Sequence, residues 1–307
     1  MSAPRRPPRR RVDGVLLLDK PSGVTSNGAL MRVKRLYNAE KAGHTGTLDP
    51  LASGLLPICF GVATRFAQFL LDAQKRYVAT VRFGVTTTTQ DAEGDVVATR
   101  ALMFGSDALQ AALAQFVGER MQTPPVHSAL KFEGRPYYVY ARRGIDIPRA
   151  PRTVTIHALR LVQWQAPDAT LDVECSKGTY VRVLAADLGE ALGCGAHLAG
   201  LRRTASGGFD LADAITLDAL EAMDEDARIR CLQPASVLVR HLPALRIAGD
   251  AARRFRHGGA VAATTYENGL VAAYDGDLLL GIAEVAGGVA NPRRSIAGVV
   301  KTTVEAA

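Results

Sequence analysis

The residue best placed to do chemistry is an acid. Asp49 stands between Leu48 and Pro50 in the stretch GHTGTLDPLASG, residues 43–54. Pro50 disfavours helical dihedrals at the residue before it and pushes Asp49 toward extended backbone. Gly43, Gly46 and Gly54 permit tight turns and close approach of another molecule, and His44, Thr45 and Thr47 add hydrogen-bonding groups. A carboxylate held this way can act as a nucleophile and still leave again. It can equally close an Asx-turn on its own backbone, and spacing alone leaves both open. The loop is not a GxxxxGK[ST] phosphate cradle, because no lysine follows its glycines. Cys59, Cys175, Cys194 and Cys231 show no CxxC and no close Cys/His spacing, which predicts reduced thiols rather than a zinc site or a disulfide framework.

Several elements must position that loop. Residues 12–20, VDGVLLLDK, read as a short buried strand. A Pro-Ser-Gly turn follows, and Thr25 or Ser26 can cap a helix carrying Leu30, Val33 and Leu36. Arg32, Lys34, Arg35 and Lys41 make the outer face of that helix basic. Leu55 to Phe60 reads as a strand, and residues 62–71 as a helix with Phe66, Phe69 and Leu70 on one side. Residues 75–83 alternate, with Tyr77, Ala79, Val81 and Phe83 on one face and Arg76, Thr80 and Arg82 on the other. Leu171, Val173 and Cys175 likewise oppose Asp172 and Glu174. Tyr180 to Leu192 is helical, with Val181, Leu184, Leu188 and Leu192 in line. Residues 118–152 hold a Thr-Pro-Pro, many basic residues and a Tyr-rich patch at 137–140, which predicts a mobile insertion rather than core.

Near residue 243 the composition changes to short apolar runs separated by glycine turns, as in LVAAYDGDLLLGIAEVAGG. The expected organisation is a disordered basic tail over 1–11, a main domain over 12–243 and a small β-rich domain over 244–307. Strands and helices mix without a regular βαβ period, so the fold class is α+β with a mixed, largely antiparallel sheet.

Composition sets outer limits. Of 307 residues, 48% are hydrophobic and 22% charged, as in a globular protein with a real core. No apolar run approaches the roughly 20 residues of a membrane span, and no signal-peptide core follows MSAPRRPPRRR. A cytoplasmic location follows. The net charge is +7 and the pI about 9.4, which suits a nucleic-acid partner. Arg5, Arg6, Arg9, Arg10 and Arg11 supply five of those charges, leaving +2 for the rest. The body is only mildly basic, so charge by itself does not establish RNA binding.

Longer motifs go further. GHTGTLDPLASGLL resembles the catalytic loop of the TruB family, the tRNA pseudouridine-55 synthases. LLLDKPSGVTSN, KRYVATVRFG, TPPVHSALK and CSKGTYVRVLAADLG agree in order and spacing, so the resemblance spans most of residues 13–210. RFRHGGAV, YDGDLLLGIAEV and NPRRSI resemble a PUA domain, a small RNA-binding β-barrel, with Arg253, Arg254 and Arg256 as possible phosphate contacts.

The resemblance implies an enzyme that isomerises a uridine in the T arm of tRNA, without metal or nucleotide cofactor. It makes Asp49 the nucleophile, leaving open whether ribose, base or a glycal-like intermediate is involved. Arg182 becomes the cation that keeps Asp49 ionised. A basic residue in the first turn of a helix is unfavourable against the dipole unless an acid pairs with it. Tyr77 stacks on the extruded base and takes part in catalysis. Tyr180 and Leu201 contact substrate, and His44 fills the space of the displaced nucleotide. Lys20 and Pro21 support the pocket, and Lys131, Arg142, Arg143, Arg202 and Arg203 are candidate phosphate contacts. His127 departs from the family pattern, in which a tyrosine precedes the Ser-Ala. A monomer with no obligatory protein partner is expected. Two alternatives stand beside this reading: an RNA-binding assistant of tRNA folding, and a synthase acting on another RNA.

Overall fold

The run Val15-Leu16-Leu17-Leu18 has no polar face because, in the computed structural model, its strand is covered on both sides. The model describes residues 8–128 and 130–296. From the strand Gly14–Lys20, Leu16 and Leu18 enter the main core. Val15 and Leu17 enter a second core on the opposite side of the sheet. The neighbouring strand Ser53–Phe60 divides the same way, with Leu56, Ile58 and Phe60 on one side and Leu55 and Cys59 on the other. Each such buried side chain contributes about 1.5–3 kcal/mol.

Among the described residues ten strands form the main sheet. Its central path runs Gly14–Lys20, Ser53–Phe60, Ala196–Ser206, Lys75–Phe83, Asp168–Cys175, Arg152–Gln165 and Gly118–Gln122. Pairings are antiparallel except where Ile215–Thr216 joins Gly14–Lys20 and where Ala196–Ser206 joins Ser53–Phe60. This is the mixed, largely antiparallel sheet expected of an α+β chain. Helices Ser26–Leu36, Ser106–Gln115 and Val181–Ala191 cover one face through Leu30, Val33, Leu109, Leu113, Leu184 and Leu188.

The alternation along Lys75–Phe83 is as read. Tyr77, Ala79, Val81 and Phe83 lie in the main core, while Arg76 and Arg82 pair with Asp172 and Asp168 across the strand Asp168–Cys175. The insertion is narrower than the sequence suggested. Gly118–Gln122 is a strand of the main sheet and Arg152 begins another, so the excursion from the sheet covers 123–151.

The second core joins the sheet to the C-terminal part: Leu238, Ala272, Leu279, Ile282 and Ile296 pack against Val15, Leu17, Leu55 and Phe66. The strands Ala244–Arg246, Val261–Ala262, Gly269–Asp275, Leu278–Ala286 and Val289–Ser295 form a separate five-stranded sheet. Among the described residues it is a curled half-barrel whose strand order is open at both ends. The expected disorder over 1–11 does not reach Arg10, whose main chain bonds Asn38 and Glu40 and whose guanidinium pairs with Glu225. Residues 1–7 and 297–307 lie outside the described residues. No helix among the described residues is long and apolar enough to cross a membrane.

One glycine ties the sheet to the Asp49 loop. Gly54 has φ +99° and sits against Arg203, whose carbonyl oxygen would lie 2.3 Å from an added Cβ. Gly54→Ala is therefore expected to push two paired strands apart and to destabilise the fold by about 3 kcal/mol or more. Urea unfolding measures this, and an unchanged midpoint would show that the strands can yield.

Candidate active site

The Asp49 loop is fixed from below by the chain that precedes the first helix. Thr25 caps that helix, its Oγ1 accepting from the Gly28 N–H at 2.9 Å. Ser26 is thereby freed for another task. It is buried, and its hydroxyl accepts from the Leu48 N–H and donates to the Leu48 carbonyl, both at 2.8 Å. The Gly23 N–H donates to the Pro50 carbonyl and the Ser22 hydroxyl to the Leu51 carbonyl. Lys20, fully buried, shapes this turn by donating to the carbonyls of Pro21 (2.8 Å) and Val24 (2.6 Å). Pro21 itself is exposed and contributes its carbonyl.

Above this support the Asp49 carboxylate meets Arg182, Oδ2 to Nη2 at 2.8 Å. No Asx-turn forms. Arg182 is the second residue of the helix Val181–Ala191 and is 5% exposed. Its Nη2 also donates to the His127 carbonyl at 2.8 Å, and its Nη1 faces Asp91 Oδ2 at 3.4 Å. One guanidinium thus spans two carboxylates and a carbonyl, which its planar fork allows and a lysine would not. Because His127 contributes its backbone here, the departure from tyrosine leaves this contact intact.

The Asp49 side chain is 44% exposed toward the cleft and walled by protein elsewhere. That dehydration pushes its pKa above the ordinary carboxylate value. Arg182 and Lys20 oppose the rise, and Asp91 adds to it. The cation holds the acid in place, but burial outweighs it. Lys20 is pushed down to about 8 by burial, with Asp49 opposing.

Asp91 and Glu93 were not singled out by sequence, because TTTTQDAEGD reads as an ordinary polar loop. In the fold Asp91 is buried, accepting from the Thr89 hydroxyl (2.5 Å) and the Glu93 N–H (3.1 Å). Gln122 was also missed. Its side-chain amide bonds both the N–H and the carbonyl of Tyr180, fixing the start of the Arg182 helix.

Two lobes of a cleft meet at Asp49 and Arg182. One, of about 360 Å³, is lined by Lys75, Tyr77, Arg152, Tyr180, Leu201 and Arg203. The other, of about 560 Å³, is lined by His44, Asp91, Glu93, His127, Tyr138 and Arg142. The excursion 123–151 forms a wall of both through Ser128. Tyr180 lies under the Arg152 guanidinium, 5.0 Å from its ring centre. His44 ends the strand Ala42–His44, and its Nδ1 is buried with no partner among the described residues. Burial, and then the charge of Arg203, push its pKa down, so the ring is neutral at pH 7. Tyr77 is 7% exposed, and burial raises its phenol pKa against an opposing charge and hydrogen bond from Arg203.

The five basic residues expected to meet phosphates separate into groups. Lys131, Arg142 and Arg143 are exposed on the excursion. Arg202 is partly engaged by Asp19, Nη2 to Oδ2 at 2.7 Å. Arg203 is 1% exposed and cannot reach a phosphate at the surface. Its Nε donates to the Leu55 carbonyl at 2.7 Å and its Nη2 to the Gly46 carbonyl at 3.1 Å, so it braces the underside of the Asp49 loop. The sequence run Leu201-Arg202-Arg203 hid this, since adjacent residues of a strand face opposite ways. Of the C-terminal arginines, Arg253 and Arg256 are paired with Asp250 and Asp275, and Arg254 is exposed.

Comparison with known proteins identifies the family. Residues 34–181 match the model of the TruB family pseudouridylate synthase (N terminal domain). Residues 182–240 match the tRNA pseudouridylate synthase B C-terminal domain, and residues 243–296 match pseudouridine synthase II TruB, C-terminal. The chain is 56% identical to the tRNA pseudouridine synthase B of Thiobacillus denitrificans, over 96% of this chain and 99% of that one. It is also 56% identical to that of Burkholderia mallei, over 94% and 98%. The crystal structure of a Cbf5-Nop10-Gar1 complex contains a chain that superposes with a TM-score of 0.71 at 30% identity, covering 92% of this chain and 84% of that one. The acid on its constrained loop and its guanidinium partner thus lie in a chain that matches these relatives over most of its length, and the chain belongs to the TruB family of pseudouridylate synthases.

Proposed function

We propose that this protein isomerises a uridine in the T arm of tRNA to pseudouridine, with Asp49 as nucleophile. The observation that carries the reading is the 2.8 Å contact of Asp49 with Arg182 at the junction of a cleft that also holds Tyr77. The reaction detaches uracil from ribose, turns it and rejoins it through carbon 5. Nothing is oxidised and no group is supplied, so a carboxylate nucleophile suffices.

A uridine within a folded arm must leave its stack, at a cost of a few kcal/mol. Tyr77 offers a replacement stacking surface, worth about 1–3 kcal/mol. Tyr180 and Leu201 close around the base, and His44 enters the gap it leaves in the RNA. Lys131, Arg142 and Arg143 meet the phosphates, with Arg202 beside them. The C-terminal half-barrel adds a further RNA contact through Arg254. The protein works in the cytoplasm as a monomer, with tRNA as its sole obligatory partner.

Transfer RNA carrying tritium at carbon 5 of its uracils tests this, because the new carbon–carbon bond expels that hydrogen. Stoichiometric release, confined to one T-arm uridine, is expected. Absence of release together with faster tRNA refolding would favour the folding-assistant reading, and release from other RNA alone would change the substrate. Tyr77→Ala is expected to slow conversion of bound RNA by about 100-fold or more while weakening affinity by about 10-fold. Lost affinity with unchanged turnover of bound RNA would make Tyr77 a binding residue only.

A further inference from the structure

The two lobes of the cleft differ in charge. In the lobe with Tyr77 and Leu201, the lining residues include Lys75, Arg152, Arg182 and Arg203, and Asp49 is their single carboxylate among the described residues. Three of these cations are buried, and while Arg182 (5% exposed) is paired with Asp49 and Asp91, Arg203 at 1% and Lys75 at 8% exposure are not so paired. Arg203 donates to main-chain carbonyls of Leu55 and Gly46. Lys75 donates to those of Leu71 (3.0 Å) and Ala73 (2.6 Å), leaving one of its three N–H donors on a side chain that lines the lobe. Carbonyl dipoles hold both charges in place, and neither forms an ion pair among the described residues. Buried charge without a counter-charge is costly, and an anion entering this lobe would relieve that cost.

Backbone register places both cations beside the stacking ring. Lys75 and Tyr77 are two apart on one strand and share a face, and Arg203 lies opposite Tyr77 on the neighbouring strand. The Tyr77 phenol is not itself the anion, since burial keeps it protonated.

The proposed reaction generates a suitable anion. When the C1′–N1 bond breaks, its electron pair stays with the base and spreads over N1, O2 and O4. The Asp49 carboxylate bonds C1′ in place of N1; after the ring turns, C5 bonds to C1′ as that carboxylate leaves, C5 loses its proton, and N1 takes one up. Resting on that reaction, we propose that Lys75 and Arg203 form a cationic floor beside Tyr77 that stabilises the detached uracil as an anion. Fixed charges aimed at developing charge in a dehydrated site need no reorganisation at the moment of reaction.

Lys75→Met, close in shape but uncharged, tests this by single-turnover tritium release. The rate should fall by about 100-fold, as when one donor to a developing anion is removed, with RNA affinity nearly unchanged. Lys75 is pushed down to about 8 by burial, by Arg203 and by Lys177, with Cys175 and Asp72 opposing. Its charge is therefore present below that pH and lost above it. Lys75→Arg does not titrate there, so its rate relative to wild type should climb as pH rises through about 8. Lys20, also pushed down to about 8, is present in both proteins and cancels in the ratio. Lys75→Met that binds RNA more weakly but turns over at the wild-type rate would mark a phosphate contact and overturn the proposal. A Lys75→Arg ratio flat with pH would overturn it too. Absence of release from the wild type would instead sink the isomerase reading, and this proposal with it.

Discussion

Asp49→Asn is expected to abolish isomerisation while RNA binding persists. The amide keeps the shape of the side chain and can still accept from Arg182, but it is neither a nucleophile nor a base. Loss of an acting nucleophile typically costs on the order of 10⁴-fold or more, so single-turnover release should fall to background. Binding should survive, because Ser26 holds the loop through the Leu48 main chain and Arg203 through the Gly46 carbonyl, neither through Asp49. Removing a partly desolvated charge should even stabilise the free protein slightly. Equal tritium release from variant and wild type would exclude Asp49 from the mechanism. The wild type should also lose activity on the acid side at a pH above the ordinary carboxylate range. Burial raises the pKa of Asp49, and protonation as pH falls through it removes the nucleophile.

Arg182→Met should produce the second-largest effect, and through a different route. It leaves Asp49 and Asp91 facing one another without the cation they share. The Asp49 pKa, already raised, rises further, so less of the nucleophile is ionised at neutral pH. A turnover loss of about 1000-fold is expected. Part of the loss should be recoverable: as pH increases, Asp49 ionises, and the variant's rate should climb relative to the wild type. Removing one partner of a buried pair costs about 3–5 kcal/mol, but Asp49 opens to solvent, so about 2–3 kcal/mol is the better expectation. Arg182→Lys restores a charge without the fork that reaches the His127 carbonyl, and should recover only part of both losses. A variant with wild-type rates and no added pH dependence would show that the guanidinium does not govern Asp49.

Much of this site can be read along the chain, for identifiable reasons. Pro50 acts on its immediate neighbour, so the constraint on Asp49 is local. The period-two pattern of residues 75–83 places Tyr77 on the inner face. The position of Arg182 at a helix start, against the dipole, called for an acid, and Asp49 lies 2.8 Å away. Other features needed contacts between distant segments. Asp91 is indistinguishable from a solvated loop acid until the 87–95 turn is folded onto Leu198, where the Ala92 N–H meets its carbonyl. Arg203 looks like the twin of Arg202 until strand pairing sends one outward to Asp19 and the other under the loop. The ends of the insertion read as loop because Gly118–Gln122 has a polar composition, yet it pairs as an edge strand with Arg152–Gln165.

The sequence by itself determined the proline-constrained acid, the strand that carries Tyr77, the helix that carries Arg182, and the family. These are set by proline and glycine dihedrals, by side-chain periodicity and by long contiguous motifs, all of which act over a few residues. The tertiary structure alone decided which charges are buried, and hence the directions in which the pKa values of Lys20, His44, Asp49, Lys75 and Tyr77 are pushed. Dehydration depends on what distant strands place overhead. An arginine or an aspartate has the same local signature in water as under ten strands of sheet, so that part of the chemistry exists only once the chain has closed around it.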